Sequence, residues 1–262
     1  SIGFIVAVAG LGPVLDQTGA WILPYVVISL YAAIWLSSLV VPAADGAAAS
    51  HEGEPLGATL RRPAVIALVI SSFLMQASHG PYYTFYTIFM EDFGYTRGAI
   101  GQLWALGVVA EVVIFIIMGR LLIRYGLRFL LLASLWLTTL RWALTGLFPE
   151  QLPVMIFAQT LHAASFGIFH AVAIALFHRY FQGRHHGKGQ ALYSSLSFGA
   201  GGAVGSYYAG MAWESIGPTA TFLVAAGLSA VGALAAWAWI RPEGAQTTAR
   251  RGGTEQAPST AD

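Results

Sequence analysis

Glu111, Arg141, His79, His162 and His170 stand out inside stretches otherwise dominated by Leu, Val, Ile, Phe and Ala. A charge at the centre of a bilayer-spanning helix costs about 2.5–3.5 kcal/mol on insertion scales, so such residues commonly serve a relay or a binding site. A carboxyl in a dry cavity favours its neutral form, and a neighbouring guanidinium favours the charged one. Moving the guanidinium away, or engaging it with solute, would then capture or release a proton. These residue types point to a proton-coupled binding site. Glu111 is the expected proton carrier, Arg141 its charge partner or the anchor of a solute, and His162 a second group able to share the proton. The plainer alternatives are a purely structural Glu111–Arg141 pair and hydrogen-bonded packing for His79 and His170. Counted from the span ends, Glu111 and Arg141 differ in depth by about 8 Å at 1.5 Å per residue, which a long arginine can largely bridge.

Stripes of polar residues accompany these groups. Ser134, Thr138, Arg141 and Thr145 follow steps of 4, 3 and 4; Ser72, Gln76, His79, Tyr83 and Tyr86 follow 4, 3, 4 and 3; Gln159, His162 and Ser165 follow steps of 3. Such spacing sets each group along one helix face. In lipid a polar stripe must face other helices or water, so several facing one another would line a hydrophilic cavity. Ser and Thr can equally spend their hydroxyls on their own helix backbone.

The elements that carry these stripes follow from composition. Of 262 residues 56% are hydrophobic and only 10% charged, the net charge is +1 and there is no cysteine; the mean hydropathy is +0.66. A soluble domain holds roughly 25% charged residues. Disorder, nucleic-acid binding, a disulfide scaffold, Cys-ligated metal and thiol chemistry are excluded together. Eight apolar segments are expected as spans: Ile2–Leu15, Ala20–Val41, Pro63–Phe89, Ala99–Met118, Phe129–Phe148, Leu152–Phe181, Gly189–Trp213 and Thr219–Ile240. The insert Pro42–Arg62, rich in Ala and Gly and holding Asp45, Glu52 and Glu54, reads as a flexible connector, and residues 241–262 as a disordered tail. The first segment has about 14 apolar residues before Asp16 and lacks signal-peptide features. It reads as a truncated span, so the chain is expected to be the C-terminal part of something longer. If the connector is cytoplasmic, 11 of the 13 basic residues fall on the cytoplasmic side, in the groups Arg61–Arg62, Arg120–Arg128, Arg179–Lys188 and Arg241–Arg251. That is the bias expected of inside loops.

Glycine and aromatic positions add two further signals. Gly80-Pro81 interrupts the third segment, where proline removes a helix bond and invites a bend. The following Tyr82, Tyr83, Phe85 and Tyr86 either stack a solute or form an ordinary interfacial belt. In the seventh segment Ser197, Gly201, Gly205 and Ala209 recur at every fourth position, which suits close helix packing or a sliding gate. The last segment, with only Thr221 and Ser229 among Ala, Leu, Val and Trp, reads as peripheral.

An inside connector followed by six spans resembles the C-terminal half of the major facilitator superfamily. The short inside loop Gly119-Arg120-Leu121-Leu122-Ile123-Arg124-Tyr125-Gly126-Leu127-Arg128 resembles that family's loop motif, with Ile123 where an acid is usual. Ser78-His79-Gly80-Pro81-Tyr82-Tyr83 and Gly101-Gln102-Leu103-Trp104-Ala105-Leu106-Gly107 with Glu111 look like the phenylpropionate permease branch, related to lactose permease and nucleoside–proton symporters. The resemblance implies an all-α membrane bundle: a partial fifth and a sixth helix over 1–41, a cytoplasmic connector over 42–62 and a six-helix half over 63–240. It also implies proton symport by alternating access. Lactose permease sets an acid, an arginine and a histidine on its eighth, ninth and tenth helices, in the helix order of Glu111, Arg141 and His162. Its second acid, one turn after the histidine, is here Ser165, which shifts weight onto Glu111.

The expected protein is therefore not an enzyme but a secondary transporter in the cell's inner (plasma) membrane, with connector and tail cytoplasmic. Its partners are protons, a small organic solute, the lipid bilayer and N-terminal helices of the same protein; no cofactor, metal or nucleic acid is expected. For an aromatic carboxylate, Arg141 would grip the carboxylate bidentately, Tyr82, Tyr83 and Trp104 would contact the ring, and His79, Gln76 and Gln159 would complete the site. Gly80, Pro81, Gly201 and Gly205 would serve as hinge or packing positions. Sugars and nucleosides are the next solute classes. A metalloenzyme is a distant alternative, because His162, His170 and His178 at spacings of eight turn by about 80° each on a regular helix and diverge, while His185 and His186 adjoin Arg184 and Lys188 in a headgroup-level loop. A non-transporting scaffold is the last.

Overall fold

The computed structural model describes residues 20–40 and 55–241. The expected span Ile2–Leu15, most of the connector and the expected tail beyond Arg241 lie outside the described residues. The chain divides into two units, residues 1–50 and 51–262. In the first, helix α1 (Leu23–Val40) follows a short 3-10 turn, Ala20–Ile22, as the apolar run Ala20–Val41 predicts.

The second unit opens with a short helix, α2 (Leu56–Leu60), so the connector's end is helical. Arg62 takes an extended conformation and α3 (Pro63–Ser78) starts on Pro63, since a residue before proline is pushed out of the helical region. His79 separates α3 from α4 (Gly80–Asp92); the break falls at the expected Gly-Pro. α5 (Arg97–Leu147) runs for 51 residues and turns only at Gly126, whose φ of 73° suits a residue without Cβ. The basic stretch expected as a loop over 119–128 is thus almost wholly helical, and the two arms, 97–125 and 127–147, are the expected fourth and fifth spans. Just past the turn, Arg128 donates to Trp237 O (3.1 Å) and to Ile240 O, capping the end of the last helix. α6 (Leu152–Thr160) and α7 (Phe169–Tyr180) are joined through a wide π turn, Ala163–Ile168. α8 (His186–Tyr193) and α9 (Gly202–Ser215) are joined by a second, Ser194–Gly201. α10 (Pro218–Trp239) closes the unit. Pro63–Asp92, Arg97–Leu147, Leu152–Tyr180 and Pro218–Trp239 are long and apolar enough to cross a membrane, and every regular element among the described residues is helical.

The last helix is central rather than peripheral. α10 packs on both α3 and the second arm of α5 and buries Thr221, Phe222, Ala225, Ser229, Gly232 and Ala233. Ser71 Oγ donates to Gly232 O at 2.8 Å, and Thr139 and Ser229 share a hydroxyl bond of 3.0 Å. Its small residues share the contact face with the sparse polar Thr221 and Ser229, and close approach of the backbones drives helix association in lipid. The small-residue face of the seventh span packs on α3 and α4. A Cβ on Gly205 would stand 2.6 Å from Ala77 O, one on Gly201 2.8 Å from Phe73 O, and one on Gly80 2.1 Å from Gly205 O.

Two apolar clusters fill the bundle. One gathers Leu68, Met75, Leu131, Leu135, Val172 and Phe177; the other gathers Tyr82, Phe89, Leu103, Trp142, Met155 and Phe222. Along α5 and α6–α7 the polar residues Glu111, Gln159 and His162 fall between the stretches that feed the two clusters.

Candidate functional site

Arg141 is the centre of the polar layer and is only 1% exposed. Its guanidinium lies over the rings of Tyr82 and Trp142, 4.3 and 4.4 Å from their centroids, a cation–π arrangement favoured where water is scarce. One terminal nitrogen, Nη1, donates to Ser165 Oγ (2.8 Å) and to His162 Nδ1 (3.1 Å); the other, Nη2, donates to Gln159 Oε1 (3.2 Å). Gln159 Oε1 also accepts from the Tyr82 hydroxyl at 3.1 Å.

The contact to His162 fixes its tautomer. Arginine can only donate, so Nδ1 must accept, and the imidazole hydrogen sits on Nε2. That Nε2 faces Glu111 Oε2 at 3.3 Å, and Glu111 is 5% exposed. His162 thus contacts both groups, in a line Glu111–His162–Arg141 with the imidazole in the middle. Ser165, where the lactose permease-like pattern carries an acid, holds the arginine by its hydroxyl. Gly107, from the quoted Gly101–Gly107 motif, leaves room for the imidazole: a Cβ there would lie 3.3 Å from His162 Cβ.

The wide turn Ala163–Ile168 shapes this site. His162, Phe166 and His170 stack as a ladder, each step 5.7 Å with 9° between planes. On a regular helix residues eight apart drift by about 80°; the wider turn takes that drift back. The divergence expected of His162 and His170 is therefore corrected: they share one face, with His170 Nδ1 bonded to the Tyr193 hydroxyl at 2.9 Å. Among the described residues no three His, Cys, Asp or Glu converge to hold a metal ion.

An aromatic wall flanks the arginine. Tyr82 and Trp104 lie 4.3 Å apart and Tyr86 meets Trp104 edge-on at 5.6 Å. Tyr82 and Tyr86 are buried, which removes the interfacial-belt reading for them, whereas Tyr83 is 48% exposed. Gln76 is half-buried and packs at Gly201, where a Cβ would come within 3.2 Å of Gln76 Cβ. Ser134, Thr138 and Thr145 bond carbonyls of their own helix, the plain alternative for that stripe. Trp142 contributes a contact that the spacing of polar residues does not flag, whereas Ser165, on the Gln159–His162–Ser165 stripe, bonds the arginine directly.

A bundle of apolar helices around a buried, relayed charge pair defines a multi-pass membrane protein. The model of the MFS_1 like family matches residues 1–224, and the chain belongs to that family of transporters, not to an enzyme family. A probable 3-phenylpropionic acid transporter of Escherichia coli (strain K12) is 30% identical over 227 residues, covering 83% of this chain and 58% of that protein. The chain thus spans somewhat more than half the length of that relative. No solved structure matches.

Proposed function

We propose that this chain forms the proton-handling part of a symporter that moves a small aromatic carboxylate, such as a phenylpropionate, together with protons by alternating access. The buried line Glu111–His162–Arg141 carries this reading. A solute carboxylate makes charge-assisted hydrogen bonds, which outcompete neutral acceptors such as Gln159 and Ser165 for the guanidinium. Once Nη1 turns to the solute, His162 Nδ1 is released to take a proton, while Nε2–H stays toward Glu111. Solute binding thereby favours proton capture, which is the linkage symport needs. Tyr82, Tyr83 and Trp104 supply ring faces for the aromatic part. The similarity to a probable 3-phenylpropionic acid transporter supports the solute class. The facing wall of the solute site is assigned to N-terminal helices of the same protein, and the basic loops to the cytoplasmic side of the plasma membrane.

The test is uptake by proteoliposomes holding the complete reading frame. An imposed inward proton gradient drives accumulation of 3-phenylpropionate, and Glu111→Gln removes that accumulation while leaving the protein folded. Accumulation of a sugar or nucleoside in its place, or accumulation indifferent to Glu111→Gln, overturns the reading.

A further inference from the structure

His79 occupies the break between α3 and α4, 2% exposed, and its Nδ1 lies 2.8 Å from Met75 O. A carbonyl only accepts, so Nδ1 carries the hydrogen and Nε2 presents a bare lone pair. That Nε2 is buried with no hydrogen-bond partner. The ring is held on two sides: Trp142 meets it edge-on at 5.0 Å and 88°, and Tyr83 stacks on it at 5.7 Å and 25°. The Trp142 indole is itself fixed by its Nε1–H bond to Ser78 Oγ at 3.1 Å. The imidazole therefore cannot turn over without giving up the Met75 bond, and Nε2 remains an acceptor in search of a donor. Tyr83, stacked on this ring, is half-exposed.

An ionised arylalkanoate offers acceptors only: its carboxylate oxygens accept and its ring carries no polar hydrogen. Bound alone beside Arg141 and the aromatic wall, it leaves Nε2 unsatisfied. We propose that His79 Nε2 accepts a hydrogen bond from a hydroxyl on the solute's ring, so that the favoured solute is a hydroxylated aromatic carboxylate. This rests on the aromatic-carboxylate reading above and narrows it. A site that holds a buried acceptor discriminates strongly for the ligand that satisfies it.

The deciding measurement is equilibrium binding of 3-phenylpropionate and of its 3- and 4-hydroxyphenyl analogues to the purified product of the complete reading frame. At least one hydroxylated acid binds wild type about tenfold more tightly than 3-phenylpropionate. His79→Asn keeps a donor for Met75 O but has no acceptor at the Nε2 position, and it brings the ratio to about one. His79→Gln, whose amide oxygen reaches that position, retains part of the preference. If the variants do not fold, the wild-type ratio alone decides. Equal or weaker binding of both hydroxylated acids, as when the donor is the solute's own protonated carboxyl, overturns this inference alone, as does a preference that survives His79→Asn. Failure of all three acids to bind overturns the aromatic-carboxylate reading and this inference with it.

Discussion

Arg141 is held by three acceptors and two ring faces at once, and no other side chain offers that combination of a planar cation with forked donors. Lysine brings three donors on a point charge and no flat face. Arg141→Lys is expected to leave at least one buried acceptor unsatisfied, costing about 1–3 kcal/mol, and to break the contact that orients His162. Thermal unfolding of the purified protein in detergent reads the first effect, and proton-driven uptake reads the second; an unchanged melting temperature contradicts the assigned contacts. At this scale Glu111, Arg141 and His162 were legible because charged or titratable side chains are costly in an apolar run. Trp142 was not, since tryptophan is ordinary in membrane helices and only geometry distinguishes a neighbour of the arginine from a bystander; Ser165 was marked by its stripe, but not as a ligand of the arginine. The intervening position of His162 was likewise hidden: depth along two helices says nothing of what stands between them.

Helix–helix contacts in this bundle depend on backbones meeting directly. The Cβ of an alanine at Gly80 would fall 2.1 Å from Gly205 O, whereas one at Gly101 meets nothing within 4 Å. Backbone cannot swing aside as a side chain does, so Gly80→Ala is expected to destabilise by at least about 1–3 kcal/mol. Gly101→Ala, in an exposed helical position, should be neutral or gain up to about 1 kcal/mol from helix propensity. Comparison of the two melting temperatures checks this; equal shifts contradict the close approach of α4 and α9. The Gly-Pro break and the every-fourth-residue stripe were visible in the sequence because glycine and proline act on the backbone itself. The π turn Ala163–Ile168 was not, because its residues Ala-Ala-Ser-Phe-Gly-Ile would form a regular helix equally well, and it is this turn that aligns His162 with His170. The central role of α10 was hidden for a related reason: in lipid, Ala and Gly mark a packing face as surely as polar residues do, without any charge to announce it.

Across the whole molecule, apolar runs made the helical membrane class readable, since a bilayer sets the length of an apolar span. The proposed sidedness is open to a clean test, because the sequence has no cysteine. Gln182→Cys, in the basic loop, should react with a membrane-impermeant thiol reagent only from the cytoplasmic face, and Glu150→Cys only from the opposite face; both sites are exposed. Labelling of both from one side contradicts the assigned orientation. The coupling of solute to proton through His162 is tested most directly by following pH in a lightly buffered solution of the purified protein while 3-phenylpropionate is added. Wild type should take up protons as the solute saturates, and Glu111→Gln should bind solute with little or no uptake. Saturable binding to wild type without any proton uptake would contradict the account.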